Sequence, residues 1–294
     1  MNPRIVSIII PCKNEGIYIK QTVDFLLETE ARHIADIIIV DDLSNDSCCS
    51  FLEVNKSYHN NITLIKTSGI GASRSRNLGA SVAASSKFLV FCDAHIIMKK
   101  NWLYTLIHSF NNPLISAVCP GIRSFNPNSA VGYGQSFNEN FQIYWLKKPD
   151  TLSEIPIAPG GCIAIRKDVF NALGGFDNGF FSWGYEDVEL SLRLWLCGYK
   201  VYVEPNVIIG HKFRKTQPYN VDLIEFNYNK LRMCLLHFNH NRICKILKPM
   251  YVHPNFEKII YRLMKSDTLV SRESYFSKRT YDDDWFFNKF NIPF

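Results

Sequence analysis

Asp93 and His95 stand two positions apart, just after the apolar run Lys87-Phe-Leu-Val-Phe-Cys92. On an extended segment that spacing turns both side chains the same way. One carboxylate and one imidazole make half a site for a divalent metal ion. The plainer reading is that strand-end Asp and His cap a neighbouring helix. His211 follows a later apolar run and is a third candidate, with a purely structural role as its alternative. Asp41 and Asp42 close another run, Asp36-Ile-Ile-Ile-Val40. Gly69-Ile-Gly-Ala-Ser-Arg-Ser-Arg76 opens a helix, where backbone N–H groups with Arg74 or Arg76 suit a diphosphate. Gly69-x-Gly71 with Asp93 at the next strand end also mimics a dinucleotide fingerprint, so an NAD-binding enzyme is a competing class. Against it, Arg74 stands where the third glycine belongs. Trp183-Gly-Tyr-Glu-Asp-Val-Glu189 sets carboxylates at a helix start. They serve the helix dipole, with Glu189 paired to Arg193 at i+4, or they supply a general base on a rigid element.

The elements that must position these groups alternate over the first ~120 residues, as expected of a parallel α/β sheet. Val6-Ser-Ile-Ile-Ile-Pro11 is a buried strand stopped by proline, and Ile19, Val23, Leu26 and Leu27 mark one helix face. Strands follow at Asp36–Val40, Asn61–Lys66 and Lys87–Cys92, with a small-residue helix at Ser73–Ala84. Helix Trp102–Phe110 and strand Ile115–Cys119 come next. Residues 120–155 are rich in Asn, Pro and Gly and read as a long excursion. Strands return at Ile157–Ile165, near Lys200–Val203 and at Val207–Ile209, with a helix over Glu186–Leu196 between them. From Val221, apolar residues recur at three and four (Ile224, Tyr228, Leu231, Leu235, Phe238) as one helical stripe. Residues 1–220 therefore read as one catalytic domain, and 221–294 as a helical extension packed on it.

Composition narrows the class. The chain has 294 residues, 33 Lys+Arg against 27 Asp+Glu, and a net charge of +6. That mild excess suits an anionic ligand or peripheral membrane contact through the aromatic tail, and does not argue for nucleic acid. Hydrophobic residues at 47% and charged residues at 20% describe a folded domain. No apolar run approaches the ~20 residues of a spanning helix. The nine cysteines are odd in number and contain no Cys-x-x-Cys, which reads as free thiols in a reducing, cytoplasmic setting. The order of SIIIPCKNEG, IIIVDDLSND, GASRSRNLGA, FCDAH, APGGCIAIRKDVFNALGGFD, WGYEDVELSLRLW and GHKFRKTQPY resembles a glycosyltransferase of the GT-A fold, broadly family 2. Several of these motifs are similar to those of the polypeptide N-acetylgalactosaminyltransferases.

The resemblance implies roles. Pro11, Asn14 and Glu15 would line the nucleotide edge. Asp42, with Asp41, would hold uracil and ribose, and Arg74 and Trp183 would meet the donor. Asp93, His95 and His211 would ligate Mn²⁺ or Mg²⁺. Gly160 and Gly161 would let the sugar approach the backbone, and Lys212–Tyr219 would be a lid. The Asn of the subgroup's Trp-Gly-Gly-Glu-Asn is Asp187 here, an acid as in inverting family 2 enzymes. Asp187 would then deprotonate the acceptor, with Glu186 orienting sugar or acceptor. The implied activity moves a sugar from a UDP-sugar to a peptide or protein side chain. A saccharide or lipid-linked acceptor is the alternative, and a non-catalytic sugar-nucleotide binder is the second class.

Overall fold

The computed structural model describes residues 5–30, 32–54, 61–83 and 86–294. The chain opens with β1 (Val6–Cys12), α1 (Tyr18–Glu30), β2 (Ile34–Asp42), α2 (Phe51–Val54), β3 (Ile62–Thr67) and α3 (Ala72–Val82). It continues through β4 (Phe88–Cys92), β5 (Ile96–Ile97), α4 (Trp102–His108), β6 (Ile115–Ser124), β7 (Val131–Gly132), β8 (Gln135–Phe137) and β9 (Ile143–Trp145). Then come β10 (Ser153–Glu154), β11 (Cys162–Arg166), α5 (Lys167–Leu173), α6 (Glu186–Leu196) and β12 (Lys200–His211). Helices α7 (Leu223–His237), α8 (His240–Met250), α9 (Phe256–Lys265), α10 (Thr268–Lys278) and α11 (Asp283–Lys289) follow.

The main sheet runs β10-β12-β6-β11-β4-β1-β2-β3. β1 lies parallel to β2 and β4, and β2 is parallel to β3. β11 reverses direction between β4 and β6, and β6 is parallel to β12. Helices cover both faces, which is why β1 and β2 are almost continuous Ile and Val. The strand alternation sorts them: Ile8 and Ile10 pack with α1 and α4, while Ile9 packs on the side of α3 and α6.

Several expectations are corrected. Pro11 does not stop β1; it stays in register with Val40 and the strand reaches Cys12. A proline near a strand end removes only one donor. The supposed excursion carries structure, because β6 continues to Ser124 and β8–β9 form a hairpin. The strand expected from Ile157 begins only at Cys162, after a turn through Gly160-Gly161. The two late strands are one, β12, whose register to β6 shifts between Glu204 and Ile208. A bulge there absorbs Pro205, Asn206 and Val207. The helix expected at Ser73–Ala84 is found as Ala72–Val82, and Ala84 lies outside the described residues.

Asp222 caps α7 by accepting from the Ile224 N–H at 2.8 Å. Tyr228, Leu231 and Phe238 of the predicted stripe are buried in the same core as α6. Phe286 and Phe287 of α11 join it, so these tail aromatics are packing groups rather than a free membrane-facing surface. Among the described residues no helix is long and apolar enough to cross a membrane.

Candidate active site

β4 ends at Cys92, and the chain bends through Asp93 and His95 instead of staying extended. His211 arrives alongside because it pairs with Ile96 of β5 at the end of β12. The ligand atoms of Asp93, His95 and His211 lie within 4.8 Å of one another. His211 Nε2 is 3.0 Å from Asp93 Oδ2. Atoms that close are neighbouring ligands for a small divalent ion at bond lengths of ~2.1 Å. His95 Nδ1 is 2.9 Å from Glu15 Oε2. Donation there leaves the lone pair on Nε2, the second-shell arrangement common at metal sites. Burial alone would raise the Asp93 carboxyl, but the His211 hydrogen bond and the charges of His211, His95 and Arg76 hold it well below the usual range. A carboxylate and two imidazoles fit a Mn²⁺-type ion.

Arg76 of α3 is buried between two acids. Its Nη2 donates to Asp93 at 3.2 Å and its Nη1 to Glu186 at 2.8 Å. The other Glu186 oxygen accepts from the Gly184 N–H at 2.7 Å. Glu186 holds Arg76 and the turn before α6 while lining the cleft. Asp187 also lines the cleft, with one oxygen accepting from the Gly160 N–H at 2.6 Å and the other from the Val188 N–H at 2.9 Å. Burial, and then the neighbouring Glu186 charge, push its pKa up to about 6.

The nucleotide edge is built less directly than expected. Asp42 takes the Ile70 and Gly71 N–H groups at 2.6 and 2.9 Å, and Ser182 O takes Ala72 N at 2.7 Å. Asp42 thereby fixes the turn into α3, whose first turn has no side-chain cap. Arg74 turns its Nε to Asn178 O at 2.9 Å, so Arg76 is the arginine nearest the acidic cluster. Asp41 accepts from Ser44 N, and Asn14 accepts from Asn45 N while donating to Pro218 O. Both fasten loops behind the cleft wall rather than lining it. Glu15 lines it, but its carboxylate serves His95 and Arg214.

The proposed lid is docked. Lys212 bonds the Tyr18 hydroxyl, and Arg214 makes a two-bond pair with Glu15. A Cβ on Gly160 would sit 3.1 Å from Asp187, and one on Gly161 3.3 Å from His211. Both glycines line the cleft and let Asp187 and His211 approach the backbone closely. Trp183 stacks on Phe226 and remains part-exposed at the rim. Pro11, Glu15, Asp42, Arg74, Asp93, His95, Gly160, Gly161, Trp183, Glu186, Asp187 and His211 thus line one cleft of about 750 Å³. Sequence reasoning gave Arg214 no role of its own; its only signal is its place in the His-Lys-Phe-Arg run.

This mixed sheet, with six strands running one way and a bent acid–histidine segment at their ends, has the architecture of the GT-A fold. The description "Glycosyl transferase family 2" matches residues 7–174, and "N-terminal domain of galactosyltransferase" matches residues 146–216. This chain belongs to glycosyl transferase family 2. It is 32% identical over 233 residues to human polypeptide N-acetylgalactosaminyltransferase 14, covering 72% of this chain and 41% of that protein. It is 29% identical to the probable N-acetylgalactosaminyltransferase 6 of Caenorhabditis elegans, over 73% of this chain and 38% of that one. The chain thus spans about two fifths of the length of these relatives. The solved structure of GalNAc-T7 with UDP, GalNAc and Mn²⁺ superposes with a TM-score of 0.79 at 21% identity, over 99% of this chain and 57% of that one. A mannosyltransferase of Pyrobaculum calidifontis with GDP-Man and Mn²⁺ gives 0.58 at 18% identity, over 95% and 73%.

Proposed function

We propose that this chain moves a sugar from a UDP-sugar to a peptide or protein side chain, using a divalent ion and inverting the anomeric carbon. The observation that carries this reading is the convergence of Asp93, His95 and His211 in one cleft with Asp187. A Mn²⁺ or Mg²⁺ ion bound there supplies Lewis-acid neutralisation of the leaving UDP. Glu15 fixes His95 so that Nε2 faces a ligand. Arg76 keeps a buried positive charge beside Asp93. Asp187 takes the acceptor proton as the acceptor atom bonds to the sugar carbon, and the pair of the breaking carbon–oxygen bond leaves with UDP. A base with pKa near 6 is ionised at neutral pH yet stronger than an ordinary carboxylate.

The likeness to polypeptide N-acetylgalactosaminyltransferases supports the peptide acceptor, and GalNAc-T7 with UDP and Mn²⁺ supports the donor and ion. We also assign residues 1–220 as the catalytic unit and 221–294 as its helical extension. A cytoplasmic location is part of the proposal; it is supported by nine free cysteines. The test is UDP release from UDP-glucose, UDP-galactose and their N-acetyl forms, with Ser/Thr peptides, under Mn²⁺ and under EDTA. We expect metal-dependent release from one donor and a β-linked glycopeptide by NMR. An α-linked product would remove the inverting assignment. The absence of both release and UDP binding would remove the transferase reading.

A further inference from the structure

Cys12 lies 36 positions before the adjacent pair Cys48-Cys49, yet the three meet beside the nucleotide edge, all buried. Their sulfurs are separated by 3.5 Å (Cys12–Cys48), 4.0 Å (Cys48–Cys49) and 3.9 Å (Cys12–Cys49). Three sulfurs on one ion with bonds of ~2.3 Å stand roughly 3.8 Å apart in a tetrahedral shell and about 4.0 Å apart in a planar one. The observed triangle has that size. Among the described residues only two groups bring three metal-ligating atoms this close, this one and the Asp93 set. The other buried pair, Cys92 and Cys162 at 3.8 Å, has no third thiol.

We propose that Cys12, Cys48 and Cys49 form a trithiolate site for a thiophilic divalent ion of the zinc class. The donors are all sulfur, and soft ligands select such ions over Mn²⁺ and Mg²⁺, which prefer oxygen. The sulfur site's place in the fold gives it a structural task. The turn that carries Cys48 also holds the loop after Cys12: Ser44 Oγ accepts Asn14 N at 2.9 Å and Asp46 accepts Gly16 N at 2.8 Å. Between them stands Glu15, which orients His95. An ion tying Cys12 to Cys48 and Cys49 would pin these two loops together from below. The ion-binding claim stands apart from the transferase reading, because it is tested by binding alone.

The test titrates Cd²⁺ into the reduced, metal-free protein and follows thiolate-to-cadmium charge-transfer absorption, with Zn²⁺ as competitor. The expected result is one equivalent per chain, displaced by Zn²⁺. The absorption should be lost in both Cys12→Ser and Cys49→Ser and retained in Cys162→Ser and His211→Ala. Cysteine alkylation read by mass spectrometry covers the case of a variant that fails to fold. In the wild-type chain, Zn²⁺ should protect Cys12, Cys48 and Cys49 together and leave Cys244 labelled. The site is refuted if the wild-type protein shows no such absorption, if Cys12→Ser retains it, or if Zn²⁺ protects none of the three. A Cys12–Cys48 disulfide persisting under reductant would also overturn it.

Discussion

Asp187 and Glu186 are adjacent carboxylates at one helix start, and both line the cleft. Glu186 is paired with Arg76, whereas burial and the Glu186 charge push the Asp187 pKa up to about 6. Asp187→Asn should keep UDP binding by calorimetry and lower turnover by roughly 10²–10⁴-fold, the usual size of a general-base contribution. Loss of UDP binding in that variant would make the residue structural. The sign of the pH effect follows from which form acts. The ionised carboxylate is the base, so kcat/KM should level off above about 6 and fall roughly tenfold per pH unit below it. A flat profile down to pH 5 would contradict the assignment. Glu15 acts through His95, so Glu15→Gln should weaken metal affinity by about 10–100-fold. Rescue of kcat by excess Mn²⁺ would separate this positioning role from a folding defect. Asp93 and His95 were legible as a candidate pair from their types and spacing, whereas Asp187 was singled out only by the family resemblance. Arg76 and Glu15 in their positioning roles were not legible, since what they do depends on partners 110 and 80 positions away.

At the scale of elements, the Ile and Val runs of β1 and β2 and the Phe-Leu-Val-Phe of β4 announced the parallel half of the sheet. The direction of β11 was not legible, because a five-residue apolar strand reads the same either way. The hairpin β8–β9 was hidden by the Asn and Gly around it, and its strands are only three residues each. The turn before α6 is the most constrained connection at the site. Gly184 has φ +108, and a Cβ there would meet the Phe226 ring at 2.6 Å. Tyr185 also takes a left-handed conformation, at φ 67. Gly184→Ala should therefore destabilise the fold by about 1–3 kcal/mol in urea titrations. It should also disturb donor binding, because Glu186 accepts from the Gly184 N–H. Unchanged stability would show that Phe226 gives way freely.

For the whole molecule, the decisive contacts join the C-terminal helices to the sheet layer. Arg193 and His237 both reach Glu189 in the core, at 2.8 and 2.7 Å. Burial alone would raise the Glu189 carboxyl, but Arg193 and His237 overcome it and hold the pKa at about 2. A depressed carboxylate stabilises the fold above its unfolded value, and that contribution is lost as pH falls from about 4.5 toward 2. Thermal unfolding across that window should show the loss, and Glu189→Gln should flatten its share of it. Arg232 of α7 is buried against Asp177 at 2.8 Å. Removing it leaves an unpaired buried acid, so Arg232→Ala should cost about 3–5 kcal/mol by chemical denaturation. The exposed Lys66–Glu53 pair should matter far less when broken. The sequence stripe from Val221 showed that a helix packs there, but not that Arg232 and His237 anchor it, since an amphipathic pattern does not name a polar partner.

The central claim is that Asp93, His95 and His211 hold the ion that lets the cleft bind and activate a nucleoside-diphosphate sugar. Its most direct test is calorimetric titration of UDP into the protein with Mn²⁺ and with EDTA, in wild type and in His211→Ala. The account predicts metal-dependent UDP binding in wild type and its loss in His211→Ala, while the unfolding curve of the variant stays cooperative. UDP binding of equal strength with EDTA, or equal metal dependence in a folded His211→Ala, would contradict it.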